Sequence, residues 1–290
     1  MTQSVDLLCV RAHPDDESSA TGGLLAKLAA EGKRTAVVIC TGGEEGEIHD
    51  PDLVYEEAFP RLGEIRKREL HAACEVLQVA ELHMLGYRDS GMAGTDSNAH
   101  PDAFCNVDVD ESGRKVGQII RDLRPRVVVT DNQWGGYGHP DHIMSHRSTM
   151  RGLELAADPG ADLKGDPWRP ERVYVMASVP RGWSQILELM SEEGLDTSAL
   201  QARMGRQRER SVEIPPSPVT LEVDVADHVE TRMRALLCHR TQIQPDSHWR
   251  LMPPHLWRVA FATTHLHRLF PPAADDEQDE DLFPDEPSRN

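Results

Sequence analysis

The chain has 290 residues, 39% hydrophobic and 28% charged, which is apolar material enough for a substantial core in a globular protein. Its 31 Lys and Arg against 49 Asp and Glu leave a formal charge of −18 at pH 7, excluding a nucleic-acid binder of the ordinary basic kind. No apolar run reaches the roughly 18 residues of a membrane span, and the first residues lack the basic and long apolar regions of a signal peptide. The expectation is therefore a cytoplasmic protein without membrane association, acting on a small molecule, with homo-oligomerisation left open.

The predicted elements alternate. Val5–Val10 reads as a strand ending in a polar cluster, and Ser18–Glu31, with Leu24, Leu25 and Leu28 at helical spacing, reads as a helix. Ala36–Thr41 is a second strand, Leu62–Leu77 a helix and Glu81–Tyr87 a third strand. Val107–Arg124 follows as a helix, and Arg126–Asp131, a nearly continuous Val run, as a strand buried on both faces. Beyond about Pro159 the rhythm loosens into a strand at Arg172–Ser178, a helix at Gly182–Glu193, a strand at Val219–Val225 and a helix at Asp227–Arg240. This specifies an α/β fold: a Rossmann-like, doubly wound, mostly parallel sheet with a smaller C-terminal α/β portion. The division expected is 1–160 for the Rossmann-like metal-binding part, 161–270 for the portion completing the pocket, and 271–290 for a disordered tail carrying eight Asp and Glu. The loops Gly42–Pro60 and Asp89–Asn106 are long for mere connections and are expected to line a site.

Five cysteines, odd in number and without a CxxC pair, suggest neither a disulfide framework nor a thiolate zinc site; Cys9, Cys40 and Cys74 read as small buried hydrophobes. Of the tryptophans, Trp134 is placed to wall a pocket, whereas Trp183 and Trp257 read as core.

Chemistry concentrates in two segments. Directly after the first strand comes Ala12-His13-Pro14-Asp15-Asp16-Glu17, and after the fourth comes Gly135-Gly136-Tyr137-Gly138-His139-Pro140-Asp141-His142, which leads into a helix. A sheet of order 3-2-1-4-5 puts strands 1 and 4 at its switch point, so both segments meet in the crevice where such folds gather ligands. His13, Asp16 and His142 then offer two nitrogens and a carboxylate, the three-ligand set of a catalytic zinc with one open position. Activation of water needs a base, and Asp15, adjacent to a ligand but aimed past it, is placed for that. An oxyanion needs charge relief and a leaving amine needs a proton; His139 supplies both as imidazolium if Asp141 holds its ring and raises its pKa, with Tyr137 in reach of the same oxyanion. No G-x-S-x-G elbow precedes a helix, so a serine hydrolase is excluded.

His13-Pro14-Asp15-Asp16-Glu17 with Gly138-His139-Pro140-Asp141-His142 resembles the PIG-L/LmbE-like zinc N-deacetylases, which remove acetyl groups from N-acetylglucosamine conjugates. The likeness covers about residues 5–155 strongly and the rest weakly. It implies one Zn²⁺ per chain, with Fe²⁺ possible, held by His13, Asp16 and His142, with Asp15 as general base and His139 as acid or oxyanion group. Thr41-Gly42-Gly43-Glu44-Glu45-Gly46-Glu47 and Tyr87-Arg88-Asp89-Ser90-Gly91-Met92-Ala93-Gly94 are similar to the family's mycothiol-pathway deacetylases. Asp15-Asp16-Glu17-Ser18-Ser19, His239-Arg240-Thr241-Gln242 and the acidic end with Asp281-Leu282-Phe283 are similar to its mycothiol S-conjugate amidases, although Ala20 stands where the amidase pattern has lysine. A secondary-metabolism amino-sugar deacetylase is a further alternative.

The resemblance also places Arg66 and Asp89 at glucosamine hydroxyls, with Glu47, Met92 and Gln242 as further substrate contacts. Arg66 reads alternatively as a solvated helix position, and Asp89 as a turn residue before Ser90-Gly91. Base, ligands and acid together favour an amide hydrolase acting on an amino-sugar conjugate over a noncatalytic carbohydrate-binding relative.

Overall fold

Seven strands form one sheet in the order β3-β2-β1-β4-β5-β7-β6. The computed structural model describes residues 3–177, 183–198, 201, 205, 215, 217–274 and 277–284. The last residue of the expected strand Arg172–Ser178, the first of the expected helix Gly182–Glu193, the side chain of Trp183 and tail residues 285–290 lie outside this description. β1 (Leu7–Arg11), β2 (Thr35–Thr41), β3 (Glu81–Tyr87), β4 (Val127–Thr130) and β5 (Arg172–Met176) run parallel, which bears out the doubly wound expectation and the order 3-2-1-4-5. Every residue of β1, β2 and β4 is buried, as strands covered by helices on both faces must be.

The crossovers place helices on both sides. Between β1 and β2 lie α1 (Asp16–Ser19) and α2 (Gly22–Ala30), where one helix was expected; the Thr21 hydroxyl donates to the Glu17 carbonyl at the break, 2.9 Å away. The loop after β2 carries the single turn α3 (Tyr55–Ala58) and then α4 (Leu62–Val76). α5 (Val109–Leu123) precedes β4; its cap, Asp108, accepts from the amides of Asp110 and Glu111, and its end is marked by Arg124 in the left-handed region followed by Pro125. After β4 come the turn α6 (Gly135–Gly138) and α7 (Pro140–Ala157).

α5 and α7 pack backbone to backbone. A Cβ on Gly117 would lie 2.9 Å from the Gly152 carbonyl, and one on Gly152 would lie 2.8 Å from Val116 Cγ1. At the far end of α7, Arg121 of α5 donates to the carbonyls of Leu155, Ala156, Asp158, Leu163 and Gly165, tying the helix end to the loop that follows it. α7 is thus anchored at its C-terminus, and its N-terminus, capped by His139 and carrying Asp141 and His142, packs against β1 and β4.

The C-terminal portion extends the same sheet. After β5 and α8 (Trp183–Glu192), β6 (Leu221–Asp224) is followed by α9 (Val229–Leu236), shorter than the expected Asp227–Arg240 helix. β7 (Thr263–Phe270) then inserts antiparallel between β5 and β6. No strand was expected there, because its buried positions include Thr264 and Arg268 as well as Leu266, so the apolar alternation is masked. Trp257 is only half-buried, against a satellite cluster around Met233 and Phe261. Cys9, Cys40 and Cys74 are buried as expected, and burial pushes each thiol up.

The acidic tail is corrected over its described part. Asp279 receives a hydrogen bond from the Tyr174 hydroxyl at 3.0 Å and pairs with Arg268, Leu282 is buried in the core, and Phe283 lies between Lys33 and Arg126. Glu277 and Asp279 neutralise arginines that β5 and β7 present, so part of the charge that reads as solvating in sequence is instead paired. Among the described residues no helix is long and apolar enough to cross a membrane.

Candidate metal centre

The two His-Pro-Asp loops meet beyond the C-terminal ends of β1 and β4. Asp16 Oδ2 accepts from the His13 amide at 2.8 Å and lies 3.7 Å from His13 Nδ1 and 3.6 Å from His142 Nε2. All three residues are buried. Metal bonds of about 2.0–2.1 Å at tetrahedral angles separate neighbouring donors by about 3.3–3.4 Å, so this His₂Asp set fits a divalent cation with little adjustment.

The outer nitrogen of each histidine faces a carboxylate. His142 Nδ1 lies 2.9 Å from Asp131 Oδ1, and His13 Nε2 lies 3.2 Å from Asp141 Oδ2. This is the support that fixes the tautomer and ring orientation of metal-binding histidines. The surplus of carboxylates also sets the charge. Burial alone would lower the proton affinity of His13, but its bonds to Asp141 and Asp89 and the nearby Asp16 raise it well above the ordinary histidine value. Burial likewise opposes ionisation of Asp16, yet His142, Arg11 and His13 hold it far below the usual carboxylate range. A pocket that draws protons onto buried imidazoles is one that favours a cation.

Asp141 does not hold His139 in the way the sequence suggested. Its carboxylate is engaged by the Ser90 amide at 2.9 Å, the Ser90 hydroxyl and His13. The link to His139 runs the other way: the Asp141 amide donates to His139 Nδ1 at 3.2 Å, making His139 the side-chain N-cap of α7. A nitrogen that accepts carries no proton, so the ring is neutral with its hydrogen on Nε2. Burial and the neighbouring His13 and His142 depress its pKa to about 3. The expected imidazolium is therefore corrected to a neutral imidazole that can still donate from Nε2.

Asp15 sits at φ 121°, a conformation L residues rarely adopt, and its carboxylate meets Arg66. Burial pushes its pKa up to about 6, Arg66 opposing this and Asp16 adding to it. Arg66, on α4, is buried and donates to the carbonyls of Pro14 and Gly43 and to Asp15 Oδ2 at 3.2 Å. A Cβ on Gly43 would fall 2.2 Å from Arg66 Nη1 in a left-handed backbone, which explains the glycine in Thr41-Gly42-Gly43. Asp89 is buried beside the centre, its Oδ1 3.7 Å from His13 Nε2 and accepting from the Gly91 amide at 2.8 Å, so the turn and the site share one carboxylate.

The rim is looser. Tyr137 stands between glycines in left-handed conformations, its ring centroid 5.8 Å from that of His142; the residue is 42% exposed, but desolvation at its hydroxyl and the carboxylates of Asp16, Asp15 and Asp89 push that group up, keeping it a donor. Gln242 donates to the Glu47 carbonyl at 2.9 Å, and its amide borders the position of a Gly46 Cβ together with Arg66. The Glu47 carboxylate lies outward on His49, Met92 is exposed, and Trp134 is exposed with its amide on Asn132.

Four further groups had no role in the sequence reading. Asp131 and Arg11 lie at the ends of β4 and β1, a position that by itself signals a site in this fold. Ser90 was visible only as part of a turn. Glu17, inside the first motif, accepts from the Asp15 amide at 2.9 Å and pairs with His239 at 2.7 Å, joining the motif to the segment after α9.

Residues 8–152 match the family described as PIG-L: GlcNAc-PI de-N-acetylase. The chain is 42% identical over 243 residues to the 1D-myo-inositol 2-acetamido-2-deoxy-alpha-D-glucopyranoside deacetylase of Thermomonospora curvata, covering 82% of this chain and 80% of that one. To the enzyme of the same name from Streptomyces avermitilis it is 36% identical, covering 96% of each. In fold it is similar to the N,N'-diacetylchitobiose deacetylase of Pyrococcus horikoshii, with a TM-score of 0.60, 19% identity and coverage of 92% and 84%.

Proposed function

Because the chain belongs to the PIG-L family of de-N-acetylases, we propose that it hydrolyses the acetamide of an N-acetylglucosaminyl-inositol, the compound for which its relatives are named, in mycothiol metabolism. The observation that carries this is the convergence of His13, Asp16 and His142 on one point with the ionisable carboxylate of Asp15 beside it. A divalent cation held by those three residues, Zn²⁺ by the character of the donors with Fe²⁺ as the alternative, would supply Lewis acidity to water and to the acetamide carbonyl.

The remaining chemistry falls to the chain. Arg66 occupies Asp15 Oδ2, leaving Oδ1 to take a proton from the attacking water. That proton is then in place for the departing amine, so His139 need not be its source. His139 Nε2–H and the Tyr137 hydroxyl are donors that can face the developing oxyanion. Asp141 acts through His13, which it orients. Arg66 acts first by positioning Asp15, and Asp89 and Gln242 stand where sugar hydroxyls would be met; Glu47 and Met92 belong to the outer rim.

The test is amine release by the purified, metal-loaded protein from N-acetylglucosaminyl-inositol, a mycothiol S-conjugate and free N-acetylglucosamine. The expected order places the inositol conjugate highest in kcat/KM. Preference for the S-conjugate would replace the deacetylase with an amidase, and no release from any of the three would overturn the proposal.

A further inference from the structure

Arg11 ends β1 in a row of buried Leu, Cys and Val residues, and is itself 4% exposed. A guanidinium kept out of water at the end of a core strand carries a desolvation cost that a pair with one carboxylate rarely recovers as stability. Its Nη1 lies 3.0 Å from Asp131 Oδ1, the same oxygen that faces His142 Nδ1 at 2.9 Å. Asp131 Oδ2, Arg11 Nε and Arg11 Nη1 have no hydrogen-bond partner, so Arg11 meets Asp131 as an ion pair and not as an aligned hydrogen bond. Two contacts, one to a cation and one to an imidazole, thus hold a carboxylate that is 3% exposed.

We propose that Arg11 and Asp131 are a positioning pair: Arg11 clamps Asp131, and Asp131 fixes the ring of His142 with Nε2 directed at the metal position. This rests on His13, Asp16 and His142 being the metal ligands. The two histidines are then supported unequally. Asp141, behind His13, is held by the neutral donors of Ser90, whereas Asp131, behind His142, is held by a full charge. Loss of Ser90 leaves an acceptor with one bond fewer; loss of Arg11 leaves Asp131 with nothing but the ring it is meant to orient. Arg11 makes no hydrogen bond or ion-pair contact with His13, Asp16 or His142, and although its charge also bears on Asp16, its one close partner is Asp131.

The pair is tested by metal affinity, measured by competition with a fluorescent chelator for Zn²⁺, and by the visible d–d spectrum of the Co²⁺-loaded protein. Asp131→Asn is expected to weaken binding about 10–100-fold, the range for an outer carboxylate behind a histidine ligand, and to shift the Co²⁺ bands. Arg11→Met is expected to weaken binding in the same direction, and the double variant to lose less than the sum of the two single losses, because one residue acts through the other. Circular dichroism and thermal unfolding establish that each variant is folded; if Arg11→Met is not, Asp131→Asn and Asp131→Ala carry the test on the same two readouts. Zn²⁺ affinity of folded Asp131→Asn within about 3-fold of wild type with unshifted Co²⁺ bands, or additive losses in the double variant, would overturn the pair. Failure of the wild-type protein to take up metal would overturn the metal reading itself, and is seen before any variant is made.

Discussion

Glu17→Gln isolates the electrostatic contribution of the buried pair that joins the first motif to the C-terminal segment. Glu17 and His239 are both fully buried, with Glu17 Oε1 2.7 Å from His239 Nε2. Glutamine keeps the volume and an acceptor for the Asp15 amide, so packing and local backbone survive while the charge is lost. Removing one partner of a buried pair costs about 3–5 kcal/mol when the other charge is stranded. An imidazole can escape by shedding its proton, which lowers the expected loss to about 2–4 kcal/mol. At roughly 2 °C per kcal/mol for a chain of this size, Tm should fall by about 4–8 °C.

The pH dependence has a definite sign. Against its burial, Glu17, with Asp15 and opposed by Arg66, raises His239 above its ordinary 6.5, so that contribution is complete below pH 6.5 and is lost as pH rises through the folded value. Against its own burial, Glu17 is lowered from 4.5 by His239, Ser18 and the Asp15 amide, so its contribution is present above pH 4.5 and is lost in acid. The difference between wild type and Glu17→Gln should therefore be greatest at about pH 5–6.5 and should narrow toward pH 9. Thermal unfolding of both proteins, metal-loaded, across that range is the assay. A Tm difference below about 1 °C at pH 6, or one that widens with rising pH, would refute the reasoning.

His13→Ala, Asp16→Ala and His142→Ala should each lose metal and activity together, as elemental analysis of the purified variants will show. Asp15→Asn should retain metal while kcat falls on the order of 10²-fold or more, the loss of a general base; near wild-type turnover would reduce Asp15 to a turn residue. Truncation after Ala274 removes Asp279 and Leu282 from Arg268 and the core, and should lower Tm by several degrees, about 3 kcal/mol or more, while the folded fraction keeps its kcat. Arg121→Ala removes the side chain that ties the end of α7 to the loop after it and should cost about 2–4 kcal/mol, read by urea unfolding.

The parallel half of the sheet was legible because strand and helix periodicity belong to neighbouring residues: the Val run at β4 and the Leu spacing in α2 need no partner to be read. The convergence of His13, Asp16 and His142 was legible for a related reason, since the switch-point rule brings the ends of β1 and β4 together whatever the details of packing. Polar partners were another matter. Asp141 is two residues from His139, yet its carboxylate turns to His13 and Ser90, because α7 starts at His139 and the first helical turn takes the Asp141 amide for the cap. β7 hid behind Arg268 and Thr264: Arg268 is met by Asp279 from the tail and by Thr220 from 48 residues upstream, and Thr264 pairs with Val223 of β6. Likewise the tail reads as solvated charge until β5 and β7 offer it Arg172 and Arg268. Sequence alone determined which residues carry donors, acceptors and apolar surface, and in what local rhythm; only the tertiary structure decided which donor meets which acceptor, because a buried polar group takes the partner that the packed backbone puts within about 3 Å, not the one nearest in the chain.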